Sequence, residues 1–256
     1  MEFDRELRSR YLDLLENSLA NAIYGESKLE MALQSLRQRL SHPYLTRRGA
    51  FRWPSRAHSM IGRTRLRHLR RLVERTLVEN VPGDYIETGV WRGGASILMR
   101  GVLAAHGIRD RRVICADSFE GLPRPDAARY PADRRDRLHA FKELAVSEAT
   151  VRKNFAAYDL LDDQVVFLKG LFKDTLPGVA ANRFALIRLD GDMYESTHDA
   201  LANLYDSVSE RGFIVIDDYG GLKNCKKAVH DFLDERRLRA EIQPVDHSCV
   251  WWRKSR

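Results

Sequence analysis

Two short apolar runs in this chain end in carboxylates. Residues 184–194 read FALIRLDGDMY, where five apolar residues lead into Asp190, Gly191 and Asp192. Residues 212–219 read GFIVIDDY and end in Asp217 and Asp218. An apolar run of that length closed by acids has the profile of a buried strand whose tip opens into a site. Two such tips side by side crowd four carboxylates at one sheet edge, where like charges need a cation or a proton between them. With no Cys or His nearby, the all-oxygen set favours Mg²⁺ over zinc. Asp190, Asp217 and Asp218 are the expected ligands. Neighbouring strand residues point to opposite faces, but at a strand end the chain is leaving the sheet, so Asp217 and Asp218 can both turn to one ion. Asp192 is expected to support the site or to cap the following helix.

A second group of residues suits a cationic cofactor. Residues 87–94, ETGVWRGG, lack both GxGxxG and GxxxxGK[ST]. An acid at that strand end would repel a phosphate, whereas S-adenosylmethionine carries a sulfonium and an ammonium and no phosphate. Glycines here let the backbone approach such a ligand, with Glu87 anchoring its charge indirectly. Asp117 ends the next apolar run and can accept both ribose hydroxyls of an adenosine. Ser118 and Phe119 are placed to contact the adenine, and Gly170, Leu171 and Phe172 to form another wall.

The elements that must position these groups follow from periodicity. Residues 1–35 read as one helix and 58–80 as a second amphipathic helix, with a loop or lid over 41–54 between them. Val81-Pro82-Gly83 is a stop signal. Strands are then expected at 84–88, 112–116, 165–168, 184–189 and 212–216, with helices at 95–106, 148–158, 196–209 and 225–236. A polar insertion at 123–136 is too long for an ordinary connection, so it is expected to be functional or mobile. Two short β-rich runs, 241–245 and 249–253, read as a terminal hairpin. The expected fold is therefore α/β, a doubly wound, mostly parallel seven-stranded sheet with ligands at the strand C-termini. The expected division is an N-terminal helical cap and lid region over 1–80 and a cofactor-binding domain over 81–256.

Bulk properties exclude several classes. The 256 residues are 44% hydrophobic and 31% charged, an ordinary globular composition. No apolar run approaches a membrane span, no secretory signal is evident, and three scattered cysteines form no ligand motif. These features lead to the expectation of a cytoplasmic protein with no membrane partner. The net charge of +7 is local, since residues 47–75 hold ten arginines against one acid. That stretch is expected to be a solvated or subunit-facing surface. A nucleic-acid-binding module is disfavoured because aromatics there are few and four strand-end acids would oppose a phosphate backbone.

The segments GDYIETGVWRGGAS, ADSFEGLP, LLDDQVVFLKGLFKDTLP, LIRLDGDMYEST and GFIVIDDYGG together resemble the macrocin O-methyltransferase family, whose members methylate sugar hydroxyls during antibiotic biosynthesis. The resemblance implies a class I S-adenosylmethionine-dependent (Rossmann-like) fold, Mg²⁺, and homo-oligomers (dimer or tetramer) whose N-terminal segments help close the site. It implies metal binding by Asp190, Asp217 and Asp218, with Asp190 as general base and His139 as an alternative base. Glu87, Thr88, Gly89, Val90, Ser96 and Asp117 match the cofactor positions, and Met60 matches a methionine near the cofactor. The expected acceptor is a glycosylated natural product, with contacts in loops 46–54 and 126–137. A non-sugar vicinal diol or phenol is the alternative acceptor, and a DxD nucleotide-sugar glycosyltransferase the rival enzyme.

Overall fold

A computed structural model describes residues 2–41 and 53–255. Most of the expected lid and acceptor loop at 41–54 lies outside the described residues. The described residues form eight α-helices, α1 Glu2–Leu19, α2 Lys28–Ser41, α3 Gly62–Val78, α4 Gly94–Ala105, α5 Glu148–Ala156, α6 Phe172–Thr175, α7 Tyr194–Leu204 and α8 Lys223–Glu235. Seven strands, β1 Asp84–Thr88, β2 Val113–Asp117, β3 Val165–Lys169, β4 Phe184–Leu189, β5 Val208–Ile216, β6 Gln243–Pro244 and β7 Val250–Arg253, make one sheet. Their order is β3-β2-β1-β4-β5-β7-β6. The first five run parallel, while β7 joins β5 and β6 joins β7 antiparallel, so the expected sheet and terminal hairpin are both present. Strand order reverses between β1 and β4, which opens a crevice at their C-terminal ends.

Period-two alternation builds two cores. Tyr85, Val113, Leu186 and Phe213 face α1, α3, α4 and α5 on one side; Ile86, Ile114, Ile187 and Ile214 face α7 and α8 on the other. Covered on both faces, β4 has all six residues buried. Helix α1 packs closely on α4: a Cβ at Gly101 would lie 2.3 Å from Leu15. Leu12, Leu15 and Leu19 thereby join the same core as the sheet.

Three details differ from the periodicity reading. Residues 1–35 are not one helix, because the chain turns at Asn21 and Gly25, both at positive φ. It restarts at a capping box in which Glu30 N donates to Ser27 Oγ and Ser27 N to Glu30 Oε2. The arginine-rich stretch is only partly a solvated surface. Arg70 is buried against Asp13, Glu16 and Glu74, and the half-buried Arg65 pairs with Asp217 and Asp246.

The long insertion is anchored. Asp133 is fully buried and accepts from Tyr194 N and Glu195 N, both at 2.9 Å, and from Asn224 Nδ2. It therefore caps α7 from outside the helix's own sequence, one of the two tasks expected of Asp192. Tyr130 Oη donates to Asp199 Oδ1 of α7 at 2.9 Å. Nearby, Trp53, Leu138 and Phe141 form a small cluster separate from the two cores. Losing a buried cap that satisfies two helix amides costs about 2 kcal/mol. Asp133→Ala is expected to lower stability by that amount in urea unfolding and to loosen the insertion.

Candidate active site

The turn after β1 shapes one half of the crevice. Gly89 has φ +87°, and a Cβ there would lie 1.8 Å from the Asp190 carbonyl oxygen, so only glycine lets β1 and β4 end so close together. Gly94 meets the N-terminal segment as closely, its N–H donating to His58 O at 3.0 Å. Arg92 Nη1 then donates to the carbonyls of Pro54, Ser55 and Ala57, holding residues 54–57 over the turn. This holds Met60 at the crevice.

A cavity of about 340 Å³ opens at the strand ends. Met60, Gly89, Asp117, Ser118, Gly170 and Phe172 line one part, while Asp190, Asp192, Asp217 and Asp218 line the floor. Trp53, Leu122, Leu138, Leu144 and Leu222 supply an apolar wall. Glu87, Thr88, Val90, Ser96, Phe119 and His139 do not line it. Phe119 is a core residue, held at φ +57° and packed near Phe167. Asp117 Oδ2 accepts from Val90 N at 2.6 Å and Oδ1 from Phe119 N at 2.7 Å. An ionised carboxylate has about four acceptor positions, so ribose hydroxyls could still bind there.

The floor contains a cation that the apolar reading of 184–189 overlooked. Arg188 is fully buried between three carboxylates: Nη1 donates to Glu87 Oε1 at 2.6 Å and Asp190 Oδ2 at 2.8 Å, and Nη2 lies 2.6 Å from Asp217 Oδ1. Ser96 Oγ of α4 donates to the other Glu87 oxygen. Arg65 Nη1 takes Asp217 Oδ2 at 2.6 Å, and its Nε takes Asp246 at 2.7 Å. Asp217 therefore has an arginine on each oxygen. The sequence signal was a charge inside an otherwise apolar strand; for Arg65, no local pattern marks the contact.

Two arginines do not balance the acids. Asp190, Asp217 and Asp218 each offer an oxygen, all within 4.8 Å of one another, and Asp218 Oδ2 is buried with no hydrogen-bond partner. Burial, then neighbouring carboxylates, raises the proton affinity of Asp218 and Asp192 well above the usual carboxylate range. Burial pushes Glu87 up to about 7, against the pull of Arg188. This donor set fits a hard divalent cation, which could be held by Asp190, Asp217 and Asp218. Asp192 lies beside that set, in the cavity, with no side-chain hydrogen bond or ion pair among the described residues.

The sequence model of the macrocin O-methyltransferase family matches residues 8–254. The chain belongs to this family. Demethyldecarbamoylnovobiocin O-methyltransferase of Streptomyces niveus is 46% identical over 97% of this chain and 94% of that protein. Mycinamicin III 3''-O-methyltransferase of Micromonospora griseorubida is 43% identical over 96% of each. The solved structure of the O-methyltransferase NovP is 45% identical, with a TM-score of 0.87 over 97% of this chain and 100% of that one. At 19% identity, the calicheamicin methyltransferase CalS11 shares the fold, with a TM-score of 0.63 over 91% of this chain and 96% of that one. The chain is thus an O-methyltransferase with the family's class I methyltransferase fold. No described helix is long and apolar enough to cross a membrane.

The raised acids set a pH dependence. Glu87, Asp192 and Asp218 bind protons more tightly folded than unfolded, so stability falls as pH rises through the usual carboxylate range towards 7. In chelator, the urea midpoint is expected to drop between about pH 5 and about pH 8, and Mg²⁺ to recover part of the loss at the higher pH.

Proposed function

We propose that this enzyme transfers the methyl group of S-adenosylmethionine to a sugar hydroxyl of a glycosylated natural product, with Mg²⁺ at Asp190, Asp217 and Asp218. The observation that carries the acceptor class is whole-length similarity to enzymes of antibiotic-type intermediates. One of them, 48% identical and from Streptomyces olivaceus, is named for methylating the 4' position of a rhamnosyl-tetracenomycin. The acceptor-side walls agree with it: carboxylates on the floor suit a polyol, and Trp53, Leu138 and Leu222 suit the apolar part of a glycoside.

On this reading Gly89, Asp117, Ser118, Gly170, Phe172 and Met60 hold the methyl donor. Glu87, Thr88, Val90, Ser96 and Phe119 act behind them by fixing the loop and its charges. A bound Mg²⁺ would supply Lewis-acid polarisation of the acceptor hydroxyl, making it easier to deprotonate. The acceptor oxygen then attacks the methyl carbon in line with the departing sulfur. S-adenosylhomocysteine leaves, and a methyl ether remains.

A carboxylate must take the hydroxyl proton. Asp190 was the expected base, but one of its oxygens is committed to Arg188 and it belongs to the cation set. His139 lies outside the cavity wall. Asp192 lines the cavity with no side-chain partner among the described residues, and burial raises its proton affinity well above the usual carboxylate range, which makes it a stronger base than an ordinary carboxylate. Asp192 is therefore the proposed base. Both Asp190→Asn and Asp192→Asn are expected to lower kcat by at least about 100-fold in a methyl-transfer assay on glycosylated acceptors, with S-adenosylhomocysteine affinity kept. Only Asp190→Asn should also weaken Mn²⁺ binding. Full activity of wild type in chelator would sink the metal assignment, and full activity of Asp192→Asn the base assignment.

A second copy of the chain is the proposed cover for an apolar face on the first two helices. Leu7 and Leu14 of α1 and Leu29, Leu33, Leu36 and Leu40 of α2 are exposed. The protein is expected to elute as a dimer or tetramer, and Leu29→Glu with Leu36→Glu to shift it towards monomer in light scattering.

A further inference from the structure

A buried ion pair gains little over apolar side chains of the same volume. Stability alone therefore does not account for an arginine near the C-terminal end of β4, where the other five residues are apolar and buried. Its location is specific. Glu87 of β1 and Arg188 of β4 are register partners across the point where strand order reverses. Two residues on, with the side chain on the same face, comes Asp190, and the next strand supplies Asp217. One guanidinium thus touches three strands' carboxylates, two of them in the cation set.

We propose that Arg188 is a positioning residue for this reaction. Its planar fork fixes Asp190 and Asp217 relative to each other before a cation arrives, and Glu87 and Ser96 brace the fork from the donor side. Lysine cannot reproduce this, because a single ammonium on a flexible stem does not hold three carboxylates in one plane. The arrangement also leaves Asp218, whose buried Oδ2 has no hydrogen-bond partner, as the ligand whose charge no arginine offsets. Glu87 serves through Arg188 here and does not contact the donor. The inference rests on the metal-dependent reading of the site.

The test measures Mn²⁺ alone, by the electron paramagnetic resonance signal of the free ion, on metal-free full-length protein. Wild type is expected to bind Mn²⁺ saturably, and Arg188→Lys to bind it about tenfold or more weakly. In the same variant, S-adenosylhomocysteine affinity is expected to stay within about threefold and kcat to fall about 100-fold, with little change in KM for the donor. Mn²⁺ affinity of Arg188→Lys equal to that of wild type overturns the proposal. Where circular dichroism shows that Arg188→Lys does not fold, Glu87→Gln, which keeps the arginine and loosens one brace, is expected to weaken Mn²⁺ about threefold or more. Unchanged affinity there overturns it equally. Failure of wild type itself to bind Mn²⁺ would remove the metal reading and this proposal with it, distinguishable because the deficit is not in the variants.

Discussion

The buried guanidinium between β1, β4 and β5 is the constraint on which the rest of the site depends. Each strand brings its acid to the same edge because parallel strands end together. Without a charge of opposite sign beneath them, those acids would repel one another in a medium that screens poorly. Arg188 supplies that charge from within the sheet, so the strand ends can stay close together. The compensation is incomplete, and the remainder faces the cavity at Asp192 and Asp218. A cavity floor with a surplus of carboxylates suits cationic groups better than phosphates.

Around this floor the chain closes from two directions. Arg65 of α3 reaches back to Asp217 and Asp246, joining the helical N-terminal part to β5 and the terminal hairpin. Arg92 does the reverse, reaching from the β1 turn to the carbonyls of residues 54–57. These contacts accompany a core that α1, α3 and α4 share with one face of the sheet. The side chain of Met60 reaches the cavity because both anchors hold.

Much of this was legible in the sequence, for physical reasons. Buried parallel strands are near-continuous apolar runs, so β1 to β5 were readable along with the acids at the tips of β2, β4 and β5. The convergence of Asp190, Asp217 and Asp218 could be inferred because strand ends in a doubly wound sheet come together. Long-range pairings were not readable. Asp133 caps a helix some sixty residues away, and Arg65 meets Asp217 across most of the chain; no local pattern encodes either. Arg188 was visible yet discounted, since a charge inside an apolar run reads as noise until the neighbouring strands are known. The core packing of Phe119 was hidden for a related cause: an aromatic next to a site residue points to the core when the backbone turns it there, as its positive φ does.

The small cluster of Trp53, Leu138 and Phe141 stands apart from both main cores. Its members come from the segment before α3 and from the insertion after β2, the same two segments that wall the cavity opposite the acids. Substitutions there would reshape that wall while leaving the sheet, the arginine fork and the strand-end acids undisturbed. If the proposed acceptor binds against that wall, recognition and chemistry sit on separable parts of the chain, and the molecules that enter can diversify without rebuilding the machinery that reacts with them.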